Sequence, residues 1–212
     1  MADTHFLHDS FGRKIDYIRI SLNEECNFRC IYCFPNEYSK KNHPIVEKRK
    51  YLTKGEIINF VKILAEFGVK HVRLSGGEPL LRKDIVEIVR EIKKIESIED
   101  LSITTNASLL DNYLYDLKSA GLTRINISLD SLNQERFFRV TGSHSYKKVL
   151  TSIYNAIKLK FKVKLNMVAM SDITEAEIIS YVSLAYKYPI EVRFIEFMPL
   201  CGEAWQPELM IP

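Results

Sequence analysis

An α/β fold built on parallel strands is what this 212-residue sequence predicts, on three observations. Short runs rich in Ile, Val and Phe recur along it, segments with helical apolar spacing fall between them, and a polar cluster follows nearly every run. Strands separated by helices pair in parallel through right-handed crossovers, so a barrel-like or doubly wound sheet is expected. The length is enough for one substantial core.

Strands are expected at 16–22 (DYIRISL), 69–74 (VKHVRL), 100–105 (DLSITT), 123–129 (TRINISL), 162–169 (KVKLNMVA) and 190–197 (IEVRFIEF). The clearest helix is 54–67, where Thr53 is the N-cap, Glu56 its capping-box partner and Gly68 the stop. Helical patterns also cover 84–95, 111–119, 145–159 and 174–187, so the order reads as six repeats of strand then helix. No glycine-rich nucleotide fingerprint follows the first strand, which removes the early Rossmann pattern.

With 46% hydrophobic and 27% charged residues, 8 Gly and 7 Pro, the composition excludes collagen-like, low-complexity and disordered chains and predicts a soluble globular one. A net charge of +3, from 30 basic against 27 acidic residues, is too balanced to argue for a nucleic-acid partner. The start, MADTHFLHDSFGRK, has no apolar h-region, and no window approaches the roughly 18 apolar residues of a membrane span. No membrane partner is expected; the cytoplasm is the default compartment, where thiols stay reduced.

Chemistry is concentrated after the strands. SGGEPLL (75–81), TTNAS (104–108), SLDS (128–131) and EFMPL (196–200) each follow a strand, and the loops at the C-terminal ends of parallel strands open on one face. After the first strand comes SLNEECNFRCIYCFPNEY (21–38), with Cys26, Cys30 and Cys33 within eight positions. A structural zinc site takes four ligands in paired knuckles, whereas Cys201 is remote and His43 sits in a polar run, SKKNHPIVEKRK, that reads as an exposed loop. Three thiolates would leave one iron of a cubane 4Fe–4S cluster open to another ligand; zinc and buried free thiols are the alternatives.

CxxxCxxC after a first strand, Tyr32 just before the last cysteine and GGEP after the second strand resemble the radical S-adenosylmethionine (SAM) superfamily. With DSFGRKIDYIRISLNEECNFRCIYCFP, VRLSGGEPLLRKDI, TTNAS, INISLDSL, VKLNMV and RFIEFMPL in that order, the sequence is similar to the GTP 3′,8-cyclase family of molybdenum-cofactor biosynthesis. The match covers about residues 9–202 of one radical SAM core domain spanning 1–212. The resemblance implies a partial (βα)6 TIM-type barrel with outer helices, open on one side. It implies one 4Fe–4S cluster on three cysteines and SAM as cofactors, and GTP as substrate. It also implies an electron donor the sequence does not identify, and leaves a homodimer open. The implied reaction is reductive cleavage of SAM to a 5′-deoxyadenosyl radical, hydrogen abstraction from the GTP ribose at C3′ and attack on guanine C8. Another radical SAM enzyme that modifies a peptide or activates a partner, and a non-catalytic iron–sulfur remnant, are the competing expectations.

Site residues follow by position. The resemblance places Tyr32, Gly77, Glu78, Thr104, Ser128 and Met198 around SAM, with Glu78 meeting its ammonium and Met198 its adenine region. Gly76 and Gly77 would let backbone approach a ligand, Asn106 and Asn126 are weaker candidates, and a methionine in FMP is also ordinary core filler. Arg19, Arg73 and Lys164 lie in apolar strands, where a bare cation is costly; they are edge residues, pair with a carboxylate such as Glu196, or form a positive lumen for the triphosphate. Arg193 lacks the support of the resemblance. The departures are a chain ending at PELMIP without the family's second cysteine-ligated cluster or Gly-Gly tail, Cys201 as an expected inert thiol, and Ala107 where the family more usually has Gly. The alanine is expected to be mild unless that position needs positive φ.

Overall fold

The structure, a computed structural model, describes residues 6–33, 51–173, 175–198 and 207–211. Its strands are β1 (Tyr17–Ser21), β2 (His71–Ser75), β3 (Asp100–Thr105), β4 (Arg124–Ser128), β5 (Lys162–Ala169) and β6 (Ile190–Glu196). All neighbours pair in parallel, and the sheet runs β1-β2-β3-β4-β5-β6. A doubly wound sheet reverses its strand order at a switch point; this one never does, and it forms a partial barrel with β1 and β6 at its edges. The helices are α1 (Lys54–Glu66), α2 (Ile85–Lys93), α3 (Leu114–Ser119), α4 (Gln134–Thr141), α5 (Tyr146–Lys158) and α6 (Glu175–Lys187).

Parallel strands covered on both faces usually read as continuous apolar runs; here the two faces differ. Val72, Leu74, Ile103, Ile125, Ile127, Val163 and Leu165 are buried in the core, together with Ile57 and Val61 of α1, Ile88 and Ile92 of α2, and Val149 and Ile153 of α5. The alternate positions are polar, and the register lines them up. Arg19 stands beside Arg73, Arg73 beside Ser102, Ser102 beside Arg124 and Arg124 beside Lys162. Toward the strand ends Thr104, Asn126, Lys164 and Glu191 form the next row, and Ser128, Asn166 and Arg193 another. The barrel interior is therefore polar, in contrast to the apolar face that carries the core.

Two expectations are corrected. Helix α4 falls in a stretch where no helix is predicted, because its buried apolar stripe is only Phe137 and Val140; its ends nonetheless carry Asn133, which accepts from the N–H groups of Glu135 and Arg136 (both 2.9 Å), and left-handed Gly142 (φ 65°). The sixth repeat has no α-helix after its strand among the described residues, only a 3₁₀ turn at Pro207–Leu209. Helix α1 begins on the expected capping box, with the Thr53 N–H donating to Glu56 Oε2 at 2.7 Å. On β6, Phe194 and Ile195 are exposed, which fits the apolar edge expected of an open barrel. His43 and Cys201 lie outside the described residues.

Candidate active site at the strand ends

The cysteine loop leaves β1 and is fastened at three places. Near its start, the N–H groups of Gly77 and Glu78 donate to the carbonyls of Asn23 (2.8 Å) and Glu25 (2.7 Å). The Asn106 amide donates to Asn27 Oδ1 (2.8 Å) and reaches Cys26 Sγ at 3.9 Å, and the Phe28 N–H lies 3.4 Å from the same sulfur. In its middle, the N–H groups of Arg29 and Ile31 donate to Thr141 (2.9 Å) and Val140 (3.0 Å) at the end of α4, and Phe28 packs edge-on against Phe137. At its end, the Tyr32 hydroxyl donates to Asp130 Oδ2 at 2.7 Å. Cys26 and Cys30 are half-buried and Cys33 is exposed. Burial first, then the charge of Asp130, pushes the Cys30 thiol above its ordinary range.

Glu78 does not open onto the cavity. It is buried, and its carboxylate accepts from the Asn106 N–H (2.7 Å), the Thr105 hydroxyl (2.7 Å) and the Leu80 N–H (3.0 Å); burial still raises its pKa. The paired glycines are needed for the approach of this turn to the cysteine loop itself. A Cβ on Gly77 would sit 2.3 Å from the Glu25 carbonyl oxygen, and one on Gly76 would sit 2.3 Å from Asn23 Oδ1. Ala107, next to Asn106, has φ 60°, so the condition under which its replacement of Gly matters is met.

Below the loop lies a cavity of about 600 Å³ lined by Arg19, Tyr32, Arg73, Ser75, Thr104, Ser128, Asp130, Asn166, Val168, Arg193, Phe194 and Ile195. Five of the expected site residues meet there: Tyr32, Arg19, Arg73, Thr104 and Ser128. Arg73 stacks on the Tyr17 ring at 5.2 Å, and its buried Nε has no hydrogen-bond partner. Burial and the neighbouring cations Arg19, Arg124 and Arg193 lower its pKa. Among the described residues no carboxylate pairs with Arg19 or Arg73. Lys164 lines an adjoining space nearer the N-terminal ends of the strands and pairs with Glu191 (2.8 Å), not with Glu196; Arg193 pairs with the same Glu191 (2.5 Å). Met198 is half-exposed and outside the cavity lining.

Sequence reasoning passed over Asp130, Asn166 and Ser75. Asp130 stands inside the quoted SLDS stretch, and Asn166 and Ser75 share a strand face with Lys164 and Arg73, so period-2 alternation was the available signal. Among the described residues no three His, Cys, Asp or Glu groups are gathered as around a single metal ion. The donor set suits iron–sulfur ligation: three soft thiols on one loop, with two N–H donors near the Cys26 sulfur. For a polar organic ligand, the buried Arg73 Nε and Asn166 Oδ1 are orphaned groups on the cavity wall.

A parallel partial barrel with a thiol-bearing loop over a polar lumen defines a class, and comparison places the chain in it. Residues 20–185 match the family described as the Radical SAM superfamily, and the chain belongs to that superfamily, whose membership implies a 4Fe–4S cluster and SAM. It is 44% identical over 205 residues to molybdenum cofactor biosynthesis protein 1 of Drosophila melanogaster, covering 97% of this chain and 36% of that protein. It is 44% identical over 194 residues to the GTP 3′,8-cyclase of Clostridium perfringens strain SM101 (92% and 59% covered). With the GTP 3′,8-cyclase of Listeria welshimeri it shares 45% over 207 residues (96% and 61%). The chain thus spans between about a third and three-fifths of these relatives. Among solved structures, Streptococcus suis SuiB bound to S-adenosylmethionine superposes with a TM-score of 0.74 at 19% identity, covering 88% of this chain and 42% of that one. Methylornithine synthase (PylB) gives 0.66 at 19% identity, over 86% and 53%. At these identities the likeness is one of fold.

Proposed function

We propose that this chain, as the radical SAM core domain 1–212, carries the SAM- and GTP-handling part of a GTP 3′,8-cyclase. The observation that carries the proposal is the pairing of a three-cysteine loop with a cavity in which two of the three lining arginines, Arg19 and Arg73, have no carboxylate partner among the described residues, in a chain 44–45% identical to proteins of that name. Cys26, Cys30 and Cys33 would hold one 4Fe–4S cluster. When bound, the cluster and SAM would supply the carbon-centred radical for hydrogen abstraction from the GTP ribose, and one electron with one proton from the donor side would complete the C3′–C8 cyclised product.

The chain's own groups bind and orient. The Thr104 and Ser128 hydroxyls line the cavity without a hydrogen-bond partner among the described residues and are offered to SAM, beside the Tyr32 ring. Glu78 acts from behind, its carboxylate tying the Gly76–Gly77 turn to Thr105 and Asn106 while the turn's own N–H groups bond the cysteine loop, so that the turn's backbone meets the cofactor. Met198 is assigned to the adenine side at the open edge of β6. Arg19 and Arg73 take the triphosphate, because guanidinium forks match phosphate oxygens and these two are not already neutralised. Lys164 joins them only by sharing its charge with Glu191. The segment that the longer relatives carry in addition would complete guanine recognition; the cytoplasm and an external electron donor belong to the same reading.

The test is to reconstitute the chain anaerobically with iron and sulfide, reduce it, and measure 5′-deoxyadenosine from SAM with and without GTP. SAM cleavage stimulated by GTP is the expected result. Cleavage indifferent to GTP would point to another radical SAM substrate, and no cleavage would overturn the enzymatic account.

A further inference from the structure

The end of the cysteine loop is tied by a side-chain hydrogen bond to a residue that the radical chemistry does not call for. Tyr32 stands between Cys30 and Cys33, and its hydroxyl donates to Asp130 Oδ2 at 2.7 Å. Asp130 is only 2% exposed, and it is fixed from two further directions. Its Oδ1 accepts the Val168 N–H of β5 at 3.1 Å, and its carbonyl accepts Arg136 Nη1 of α4. Arg136 is itself held by Asp172 at 2.7 Å. The residue is therefore fixed through its side chain by β5 and through its backbone by α4, and it lines the cavity together with Tyr32.

We propose that Asp130 is a positioning residue for the iron–sulfur ligands, setting the place of Cys30 and Cys33 through its hydrogen bond to Tyr32. The proposal rests on the reading that these cysteines hold the cluster. Burying a carboxylate is costly unless its oxygens are bonded, and apolar packing alone could fill this position at less cost. What an aspartate adds is direction, since a clamped acceptor fixes the Tyr32 hydroxyl to one point. The neighbouring backbone transmits it. The Cys33 N–H donates to the Cys30 carbonyl at 2.9 Å, so the two thiols and Tyr32 share one tight turn. Beneath that turn the Tyr32 ring packs on Val140, Met170 and Phe197, contacts that leave its rotation to be set by the hydroxyl.

The experiment is a double-mutant cycle on the anaerobically reconstituted chain: wild type, Tyr32→Phe, Asp130→Ala and the double variant, with Leu117→Ala in α3 as a destabilised control. The rate at which a ferrous chelator bleaches the cluster is measured beside the apo-chain Tm and the electron paramagnetic resonance spectrum of the reduced cluster. Each single variant is expected to lose iron about tenfold faster with an altered spectrum, and the double no faster than the quicker single, because both remove the same bond. Leu117→Ala is expected to lower Tm without changing iron loss. Unchanged rates in the singles, multiplied effects in the double, or equal acceleration in Leu117→Ala would each overturn the proposal. A wild-type chain that takes up no cluster would overturn the three-cysteine reading and the proposal with it, and is told apart by its iron content.

Discussion

The cysteine loop and the arginine row face one cavity, yet the chain treats their polar groups in opposite ways. Around the loop, Glu78, Asn106, Tyr32 and Asp130 spend their hydrogen bonds on one another and on backbone. On the row, Arg19 and Arg73 have no carboxylate partner among the described residues, and Arg73 Nε is buried with nothing to donate to. An internally satisfied network fixes geometry, whereas an uncompensated cation in a half-buried wall is tolerable where a ligand completes it. The difference separates groups that hold from groups that bind.

The largest effect expected on the holding side is loss of the cluster. Cys26→Ala, Cys30→Ala or Cys33→Ala should each cut iron after anaerobic reconstitution from about four per chain to less than half of that. Retention of full iron in any one of them would remove that cysteine from the ligand set. Next in size is Gly77→Ala, whose new Cβ would meet the Glu25 carbonyl. A loss of about 2–3 kcal/mol, read as a Tm fall of roughly 5–10 °C, is expected. An unchanged Tm would show that the two loops are not locked together.

The pH response should distinguish the two regions. Burial raises the pKa of both Glu78 and Asp130, so the folded chain binds these protons more tightly than the unfolded one. Their contribution to stability is full below the ordinary carboxyl pKa of about 4 and is lost as pH rises through the folded values. Glu191, on the binding side, is lowered by hydrogen bonds from Lys164 and then Arg193, so its contribution runs the other way and is lost as pH falls. Thermal melts of the apo chain across pH should show a smaller loss of stability as pH rises above about 4 in Asp130→Asn and a flatter acid limb in Glu191→Gln. The smallest effect is a gain. Ala107→Gly relieves a left-handed alanine at φ 60° at some cost in chain entropy, for a net stabilisation of about 0.5 kcal/mol by chemical denaturation. A clear loss would mean that the buried methyl matters more than the backbone.

The strands and most helices were legible because apolar periodicity and caps are local signals: β3 and β5 lie at the expected residues, and α1 starts on its capping box. Helix α4 was not, since two buried apolar positions make too short a stripe, although Asn133 and Gly142 marked its ends. That omission hid the platform under the cysteine loop. The three cysteines and the cationic strand positions could be read as residue types in pattern. Their partners could not, because pairing depends on register: Lys164 finds Glu191 on β6 directly beside it, where the sequence offered Glu196 equally well. The hydrogen-bond partners of Glu78 were hidden for the same reason, since Thr105 and Asn106 come to it across the sheet.

The central claim, that the cavity's free arginines bind the substrate's phosphates while its loop is already complete, is tested most directly by calorimetric titration of GTP into the reconstituted chain. Wild type, Arg73→Ala and Lys164→Ala would be compared under the same anaerobic conditions. Arg73→Ala should weaken binding by about 10- to 100-fold, as loss of hydrogen bonds to a charged group implies, and Lys164→Ala by clearly less, because Glu191 already shares its charge. Equal affinity for wild type and Arg73→Ala would contradict the account.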